Sequence, residues 1–573
     1  MYNLRPSIKI KKGLKSYCGF AEISKVLLSQ ILSNSLKTIV FECYPGINTE
    51  ILLKEIIKKI NPKVLIDASL AFLESGDINT KLKQDLTEDR VFGRFTHQKI
   101  EEYIDIQKVS EIHEKVENTD GTVIIYGVGA SKIVYPDLLI YVNITRWEIQ
   151  TKLKNGLSNW KADNKNEEFS KKVKRSYYFE WPVADQIKQE CYENLDFMID
   201  LNNDKEPKMI SGKDYKLAIK EFTTQPFRLV PYFDPGLWGG SWMQEKFKVR
   251  QEEKNLAWSF DGVPEENSVI FEVNTTKFEV PASDIVMLFP KALLGNRVYG
   301  LYGSDFPIRF DYLDTMGGQN LSLQVHPTLD YAYRTFGAKY TQDESYYIMD
   351  CKENSIVYLG LKEGVNLNEI VNELEQSQVI GKFDEDKYVN SIKVKKHDHL
   401  LIPAGTIHSS GKDCVVLEIS STPNRFTFKL WDWDRVDIDG KPRPIHINHG
   451  KKVLNVDIDE KFVNENLYNQ FKINKENNTV KEEHTGLYES QPIETVRHIF
   501  STSVLHKTEG SVNMLNLVEG EQIIVESLDN KFEPFIVNYG ETFIIPESLK
   551  VYNISPFGKS EGKEVITMKA YIR

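Results

Sequence analysis

Four residues in the later half of this 573-residue chain have the types and spacing expected of metal ligands. Gln324 and His326 lie two positions apart in the segment LSLQVHP, so a strand would point both side chains to the same face. Glu344 opens the segment ESYYIMD, and His408 ends a Pro-Ala-Gly turn. Neutral imidazoles together with carboxylate and amide oxygens suit a divalent metal that keeps room for a substrate oxygen. We therefore predict that these four residues bind a metal ion.

A turn-and-strand pattern occurs twice and contains one of these ligands. The first copy runs from His397 to His408, and the second runs from Gly540 to Val551. Each copy has a turn residue, five residues, a proline, one residue, a small residue, two residues and a final position. The pattern resembles the second characteristic motif of the cupins, in which the final position is a metal-binding histidine. The resemblance predicts two stacked β-barrels, of which only the first holds metal. Because His397 occupies the turn position, we expect neither it nor His399 to be a ligand.

The elements that position these residues divide the chain into two kinds of structure. Apolar runs separated by helical patterns predict an α/β domain whose parallel sheet is covered on both faces. Short alternating strands after it predict an all-β remainder that forms a double cupin. We expect an α/β domain at 1–222, a metal-binding cupin domain at 223–452 with a helical insertion at 365–390, and a cupin-like domain without metal at 453–573.

Several segments occur in the order found in the type I mannose-6-phosphate isomerases: GLWGGSWM (236–243), FPIRFDYLD (306–314), LSLQVHP (321–327), DESYYIMD (343–350), IPAGTIHS (402–409), FTFKLWDWDR (426–435) and PIHIN (444–448). From about residue 225 to the end, the chain resembles the compact bacterial form of that family. The resemblance implies zinc, one ion per chain, bound by Gln324, His326, Glu344 and His408. It implies interconversion of mannose 6-phosphate and fructose 6-phosphate, in which a proton moves between C1 and C2 through a cis-enediol. Ser322 matches a serine that contacts the sugar phosphate.

Three positions depart from the family pattern. Asp311 and Gln342 stand where the family has lysines, and Lys429 replaces an arginine. The first two changes remove two cations and add one anion around a site for a dianionic phosphosugar, which weakens binding in a partly desolvated pocket. Lysine keeps the charge of arginine but loses its bidentate grip. We assign Lys429 and Arg435 as candidate catalytic residues, and Ser322, Gln342 and Asp311 as candidate substrate-binding residues. The arginines that could restore the lost charge are Arg309, Arg425 and Arg435.

The segment TIVFECYPGINTEILLKEI at 38–56 resembles the opening of a P-loop kinase. A working P-loop has the form GxxxxGK[ST], in which the lysine contacts phosphates and the hydroxyl holds Mg²⁺. Here Gly46 is followed by Ile47 and Asn48, and Phe41 occupies the first glycine position. We therefore expect a degenerate kinase-like domain that serves as a scaffold, a dimer contact, or a sensor of a sugar or nucleotide.

The composition limits the partners and the compartment. The chain has 83 acidic and 72 basic residues, so it has no basic excess to neutralise a nucleic-acid backbone. No apolar run approaches the roughly 20 residues of a membrane span, and the N-terminus lacks an apolar signal core. Five scattered cysteines indicate reduced thiols. We expect a cytoplasmic protein that binds neither nucleic acid nor membranes.

Three functions compete on this sequence. The metal motifs favour a zinc-dependent aldose–ketose isomerase of sugar phosphates. The altered residues Asp311, Gln342 and Lys429 keep open a non-catalytic, metal-containing sensor that binds a sugar or sugar phosphate without turnover. A metal-dependent cupin oxygenase would need redox-active iron and would consume oxygen, and the amide ligand Gln324 favours zinc over that alternative.

Overall fold

The computed structural model describes residues 2–11, 13–422, 425–436, 443, 445–486, 488 and 491–573. They form two compact units. The α/β unit comprises Ser7–Glu221 and Ser268–Leu288, and the β unit comprises Met1–Pro6, Phe222–Asn267 and Phe289–Arg573. The prediction of a multidomain chain with an α/β part and many β-strands is confirmed.

The strands of the described residues are named here in chain order. Those up to residue 281 are β1 (Ser7–Lys9), β2 (Ser16–Cys18), β3 (Thr38–Cys43), β4 (Val64–Asp67), β5 (Val123–Gly127), β6 (Leu138–Asn143), β7 (Phe197–Asp200), β8 (Lys208–Ser211), β9 (Tyr232–Asp234), β10 (Trp258–Gly262), β11 (Ser268–Val273) and β12 (Thr276–Pro281). Those of the metal-motif region are β13 (Ile308–Asp314), β14 (Leu323–Val325), β15 (Glu344–Cys351), β16 (Ile356–Leu361), β17 (Val389–Lys393), β18 (His399–Ile402), β19 (His408–Ser410), β20 (Cys414–Ser421) and β21 (Phe428–Trp431). The last are β22 (Lys472–Glu476), β23 (Val480–His484), β24 (Ile493–Phe500), β25 (Val504–Lys507), β26 (Asn513–Glu519), β27 (Gln522–Glu526), β28 (Phe535–Asn538), β29 (Thr542–Ile545), β30 (Val551–Pro556) and β31 (Val565–Ile572).

The α-helices are α1 (Phe20–Ser33), α2 (Thr49–Leu52), α3 (Lys58–Ile60), α4 (Ser75–Leu86), α5 (Ile106–Glu117), α6 (Arg146–Lys154), α7 (Phe169–Arg175), α8 (Trp181–Cys191), α9 (Gly212–Glu221), α10 (Trp242–Phe247), α11 (Ser283–Leu288), α12 (Pro290–Leu294), α13 (Asn296–Tyr302), α14 (Leu329–Phe336), α15 (Leu367–Ile380), α16 (Glu385–Tyr388), α17 (Ile447–Gly450) and α18 (Glu460–Asn466). Two π-helical segments, Leu53–Ile57 and Ser176–Glu180, continue α2 and α7. Across the described part of the chain, no helix is long and apolar enough to cross a membrane.

The α/β unit is built on a seven-stranded sheet with the order β2-β8-β7-β6-β3-β5-β4. The five strands from β7 to β4 run parallel to one another. At one edge, β8 pairs antiparallel with β7, and β2 pairs antiparallel with β8. Every residue of β3 and of β6 is buried, because these central strands consist almost wholly of apolar residues. The parallel sheet expected from the apolar runs is therefore present, while its kinase-like character stays a prediction.

The segment Ser268–Leu288 departs from the contiguous division expected at residue 222, because it belongs to the α/β unit. Its strand β11 pairs in parallel with β1 and antiparallel with β12. Its helix α11 carries the buried Asp284, which forms an ion pair with Lys188 and accepts a hydrogen bond from the Tyr192 hydroxyl at 2.7 Å. A buried charge requires such a partner, so this pairing holds the segment in the unit.

The metal-motif region folds into two sheets that we call the first sheet pair. The six-stranded sheet has the order β18-β15-β20-β13-β10-β9, and the five-stranded sheet has the order β17-β16-β19-β14-β21. Helices α15 and α16 follow β16 at the expected helical insertion. The side chain of Asn366 caps α15 by accepting from the backbone N–H of Asn368, and the helix ends at Gly381, whose φ is 69°.

The C-terminal region folds into the second sheet pair. Its six-stranded sheet has the order β22-β23-β24-β31-β26-β29, and its four-stranded sheet has the order β25-β30-β27-β28. Both sheets contribute side chains to one core, among them Phe500, Leu515, Phe543 and Tyr552. The run β13-β20-β15-β18 of the first pair corresponds to β24-β31-β26-β29 of the second, and β14-β19-β16-β17 corresponds to β25-β30-β27-β28. The sheet order is thus duplicated, as the repeated sequence pattern indicates.

Candidate metal centre

Three buried side chains converge between the two sheets of the first sheet pair. Nε2 of His326 lies 3.0 Å from one carboxylate oxygen of Glu344, and Nε2 of His408 lies 2.8 Å from the other. His326 follows β14, while Glu344 and His408 are the first residues of β15 and β19. All three are 1% exposed or less. Within the described residues, they form the one histidine–carboxylate group whose ligand atoms lie close enough together to hold a metal ion.

A hydrogen bond at Nδ1, the ring nitrogen that faces away from Glu344, orients each imidazole. Nδ1 of His326 lies 3.0 Å from the carbonyl oxygen of Phe426, and Nδ1 of His408 lies 2.9 Å from that of Thr406. Because a carbonyl only accepts, each Nδ1 carries the proton and each Nε2 presents a lone pair toward Glu344. Carbonyl oxygens that accept from the outer nitrogen in this way orient the histidine ligands of metal sites.

The turn before His408 is tied to the other ligands. The backbone N–H of Gly405 donates to the carbonyl of His326 at 2.9 Å, and that of Ala404 donates to the Asp343 carboxylate at 2.8 Å. Gly405 has a φ of 91°, and a Cβ there would lie 2.9 Å from the carbonyl oxygen of Val453. Glycine is therefore required at this turn, which places His408 opposite His326.

Gln324 completes the set of four predicted ligands. It pairs directly with His408 across β14 and β19, and its side-chain amide nitrogen lies 3.1 Å from Nε2 of His408. A half-turn of the amide would place Oε1 at this position as an acceptor. The structure therefore brings Gln324, His326, Glu344 and His408 together, whereas His397 lies in a turn with a φ of 73° and Nε2 of His399 lies 2.9 Å from the Ser345 hydroxyl.

The donor atoms of this group fit a divalent metal ion. With each Nδ1 protonated, lone pairs of two nitrogens and two carboxylate oxygens face one another at about 3 Å and repel unless a cation lies between them. Two neutral imidazoles, a carboxylate and an amide form a ligand set of the kind that zinc accepts.

Comparison with known proteins finds one family model and several relatives. A family model described as "Domain of unknown function (DUF8485)" matches residues 19–224. Mannose-6-phosphate isomerase ManA of Bacillus subtilis is 27% identical over 235 residues, which are 41% of this chain and 69% of ManA. The mannose-6-phosphate isomerase of Streptococcus mutans is 27% identical over 234 residues, which are 40% of this chain and 68% of that protein. Over these alignments the chain is similar to mannose-6-phosphate isomerases.

Solved structures of mannose-6-phosphate isomerases also align with the chain. The crystal structure of mannose 6-phosphate isomerase from B. subtilis covers 60% of this chain and 99% of its own, with 19% identity and a TM-score of 0.48. A putative mannosephosphate isomerase from Archaeoglobus fulgidus covers 60% of this chain and 96% of its own, with 19% identity and a TM-score of 0.45.

Two of the three departures from the isomerase pattern lie beside the predicted metal ligands. Nε2 of Gln342 donates to Glu344 at 2.9 Å and to Glu418 at 3.3 Å. Asp311 pairs with Glu418 across β13 and β20. Burial, and then the charge of Glu344, raise the pKa of Asp311 to about 8. Burial, and then Asp311, raise the pKa of Glu418 well above its ordinary value. A cluster of buried carboxyl groups therefore adjoins the centre.

Sequence reasoning missed Glu418. It lies in the apolar run CVVLEISS of β20, where a single glutamate could equally face solvent. No signal in the sequence singles it out, because every residue of β20 is buried and the strand shows no polar alternation. The strand pairing with Tyr346 and Asp311, which brings it to the centre, is not readable from sequence.

The other candidate site residues form a second polar group on the five-stranded sheet. The Ser322 hydroxyl donates to Asp432 at 2.7 Å, and Asp432 also forms ion pairs with Arg435 and Arg443. Lys429 pairs with Gln324 across β21 and β14, so both side chains leave the sheet on the same face. Arg443 is a further cation that sequence reasoning missed.

The remaining arginines do not restore the lost charge beside the metal ligands. Arg309 forms an ion pair with Glu265, and Arg425 forms one with Glu266 at 3.0 Å. Each of these cations is matched by an acidic side chain from the segment that follows β10. Of the three candidates, Arg435 alone belongs to the group that contains Ser322.

Proposed function

We propose that the β unit is a zinc-dependent aldose–ketose isomerase of sugar phosphates that interconverts mannose 6-phosphate and fructose 6-phosphate through a cis-enediol. The observation that carries this proposal is the convergence of His326, Glu344 and His408, with Gln324 beside them, in a chain related to proteins named mannose-6-phosphate isomerase. The proposal assigns the metal to these four residues, one ion at this centre.

When bound, the metal ion would act as a Lewis acid that orients the substrate oxygens and stabilises negative charge on them. The chain's own residues would move the proton between C1 and C2. Glu418 and Asp311 are the candidate acid–base groups, because both carboxyls are buried beside Glu344 and face each other across two strands. Gln342 holds Glu418 and Glu344 in place by donating to both.

The substrate phosphate would be held by the group around Ser322. Arg435 and Arg443 both contact Asp432, so two guanidinium groups share one carboxylate partner and the group carries an excess positive charge. Lys429 adds a further amine on the face of the sheet that carries Gln324. We therefore assign Ser322 and Arg435 to phosphate binding. No cation of this group directly replaces the family lysines whose positions Asp311 and Gln342 occupy.

A second candidate function follows from those missing cations. Asp311, Glu344 and Glu418 place three carboxyl groups close together, and the family's lysines are missing at Asp311 and Gln342. A dianionic sugar phosphate is repelled by such a cluster unless the carboxyls are protonated or a metal neutralises them. A non-catalytic, metal-containing sensor of a sugar or sugar phosphate is therefore the alternative.

We also propose that the α/β unit is a degenerate kinase-like domain that serves as a scaffold or dimer contact or senses a sugar or nucleotide. A cavity of about 250 Å³ lies at the carboxyl ends of β3, β4 and β5, where ligands bind in open α/β sheets. The loop at Gly46 borders this cavity, with Ile149 packed 2.9 Å from the position of a Cβ at Gly46. The lining includes Asp67 and Glu180 and no lysine or arginine among the described residues, which disfavours phosphate.

The test uses the purified full-length protein. Bound metal is quantified, and the zinc-loaded form is assayed by NMR for conversion of mannose 6-phosphate to fructose 6-phosphate. We expect turnover that His408→Ala abolishes and that His399→Asn, a buried histidine outside the ligand group, retains. Zinc at the centre without conversion, combined with saturable binding of the sugar phosphate, would favour the sensor. A protein that binds neither zinc nor the sugar would contradict both functions.

A further inference from the structure

The second sheet pair contains a buried polar group for which the proposed isomerase has no use. His498 on β24 and His506 on β25 are 4% and 2% exposed, and their ring centroids lie 4.4 Å apart. The two ligand imidazoles of the first sheet pair, His326 and His408, have centroids 5.0 Å apart. The spacing of the second histidine pair is therefore close to that of a pair arranged as metal ligands.

Three of the four ring nitrogens of His498 and His506 lack hydrogen-bond partners among the described residues. Among the described residues, Nδ1 of His498, both ring nitrogens of His506 and Oγ1 of Thr567 have no hydrogen-bond partner although all are buried. Thr567 pairs directly with His498 across β31 and β24, so the two side chains share a face. Leaving one buried polar atom unsatisfied costs about 1–3 kcal/mol. Several such atoms at one place indicate a missing partner.

A carboxylate orients one of the two rings as it would in a metal site. Nε2 of His498 lies 3.4 Å from a carboxylate oxygen of Glu482 on the neighbouring strand β23. If this nitrogen carries the proton, Nδ1 keeps its lone pair, which is the ligand form of the ring. In metal sites, a histidine ligand commonly donates its other ring N–H to a carboxylate, which fixes the tautomer and the orientation of the ring. The other carboxylate oxygen of Glu482 lies 3.5 Å from Nε2 of His484.

The second ring is fixed by packing. Tyr552 stacks on His506 with centroids 5.2 Å apart and an interplanar angle of 9°. The Tyr552 hydroxyl donates to Asn513 at 2.9 Å, and the Asn513 amide in turn donates to the carbonyl of Thr508. His506 therefore faces His498 from a rigid platform, and its unpartnered nitrogens are sealed from solvent. A metal ion with bonds of about 2.0–2.1 Å needs less space than a water molecule.

We infer that His498 and His506 bind a second transition-metal ion of the class that imidazole prefers, such as Zn²⁺, Ni²⁺ or Cu²⁺, with Thr567 beside it and Glu482 behind His498. Two imidazoles are fewer strong ligands than the first centre offers, so this site binds more weakly than the first. The inference is independent of the isomerase proposal. It revises the expectation, drawn from Val551, that the second sheet pair holds no metal.

The buried Lys569 is the strongest argument against a cation here. It lies on β31, two residues from Thr567, and donates to the carbonyl of Lys507 at 2.6 Å. A cation nearby would favour the neutral amine, so the metal ion and the ammonium compete. A metal ion bound here would therefore compete with the Lys569 ammonium, whereas a bound anion would be stabilised by it.

The test measures metal stoichiometry in the full-length protein after stripping, reloading with Zn²⁺ and desalting. We expect two equivalents in the wild type and one in His326→Ala/His408→Ala. Adding His506→Phe, which keeps the stacking on Tyr552, should remove the remaining equivalent. The matched change His399→Phe, at another buried histidine, should leave it in place. Loading with Cu²⁺ in the His326→Ala/His408→Ala background should give an electron paramagnetic resonance spectrum with nitrogen coupling.

One equivalent in the wild type and none in His326→Ala/His408→Ala would overturn the inference. Retention of the remaining equivalent after His506→Phe would overturn it as well, because the metal would then lie elsewhere. If His506→Phe fails to fold, as judged by circular dichroism, His498→Asn takes its place. The comparison of the wild type with His326→Ala/His408→Ala shows whether a second equivalent exists, and the His506 or His498 variant shows whether it lies at this group.

Discussion

The two sheet pairs of the β unit share one strand order but have different centres. In the first, Gln324 pairs with His408 on adjacent strands, and in the second, His506 pairs with Tyr552 on the corresponding strands. Tyr552 belongs to the core of the second pair, so it faces inward as His408 does. The position that replaces the histidine ligand in space is therefore Tyr552, one residue beyond the Val551 that the sequence repeat aligns.

The six-stranded sheets differ in charge at corresponding positions. Glu344 pairs with Ile402, and Asn513 pairs with Ile545, the residue that likewise precedes the proline of the repeat. Two residues along, Tyr346 pairs with Glu418, whereas Leu515 pairs with Lys569. The same frame thus surrounds a cluster of carboxyls in one pair and a lysine with two histidines in the other. Strand order fixes where side chains meet, and residue identity fixes which ligand they can hold.

The largest difference between the two centres should be in catalysis, and Glu418→Gln tests it. Glu418 is buried between Asp311 and Gln342, so the amide keeps the packing but cannot transfer a proton. We expect kcat for sugar-phosphate isomerisation to fall by about 10²–10⁴-fold, the range for loss of a general acid–base group. Zinc content should stay unchanged.

The matched control for this change is Glu494→Gln, a buried carboxylate of the second sheet pair. The Glu494→Gln protein should retain full turnover. Glu494 lies in β24 of the second sheet pair, where its contacts are His484 and Arg573. An unchanged kcat in Glu418→Gln would remove Glu418 from the acid–base role and shift that role to Asp311.

The spatial correspondence between His408 and Tyr552 predicts an intermediate effect on metal binding. In a protein whose first centre is disabled by His326→Ala/His408→Ala, Tyr552→His with Asn513→Glu should raise zinc affinity at least about tenfold. The reason is that these changes add a carboxylate and an imidazole beside His506, so the group offers more strong ligands than two imidazoles alone. Zinc titration followed by a fluorescent indicator provides the measurement.

Val551→His in the same background is the control, because Val551 pairs with the exposed Lys507. It should leave zinc affinity as it was. If Val551→His, and not Tyr552→His with Asn513→Glu, raised the affinity, the sequence alignment of the repeat would describe the centre better than the strand pairing does.

Some residues of the candidate site could be predicted from the sequence, and others could not. The convergence of Gln324, His326, Glu344 and His408 could be predicted because a period-two strand and a glycine turn constrain where they point. Glu418 and Arg443 could not, because strand pairing and loop closure bring them to the centre from distant positions. The segment Ser268–Leu288 also escaped prediction, since its reason for joining the α/β unit is a buried contact between Asp284 and Lys188.

The difference in charge between Glu418 and Lys569 predicts the smallest effect, which is on stability. Burial lowers the pKa of Lys569 from 10.5 to about 8. The unfolded chain therefore binds this proton more tightly, so in the metal-free protein the free energy of unfolding should rise with pH between about 8 and 10.5. Lys569→Met should remove that rise and raise the free energy of unfolding at pH 7 by about 1–3 kcal/mol.

Urea unfolding of the metal-free protein at pH 7 and pH 9.5 provides the measurement, with Lys531→Met as the control, because Lys531 is exposed and pairs only with an exposed aspartate, Asp529. That control should change the free energy of unfolding by less than about 0.5 kcal/mol. A Lys569→Met protein that is less stable at pH 7 would mean that a negative group stabilises the ammonium in the folded state. The centre of the second sheet pair would then be suited to an anion, and the contrast with the metal centre of the first pair would be one of opposite ligand charge.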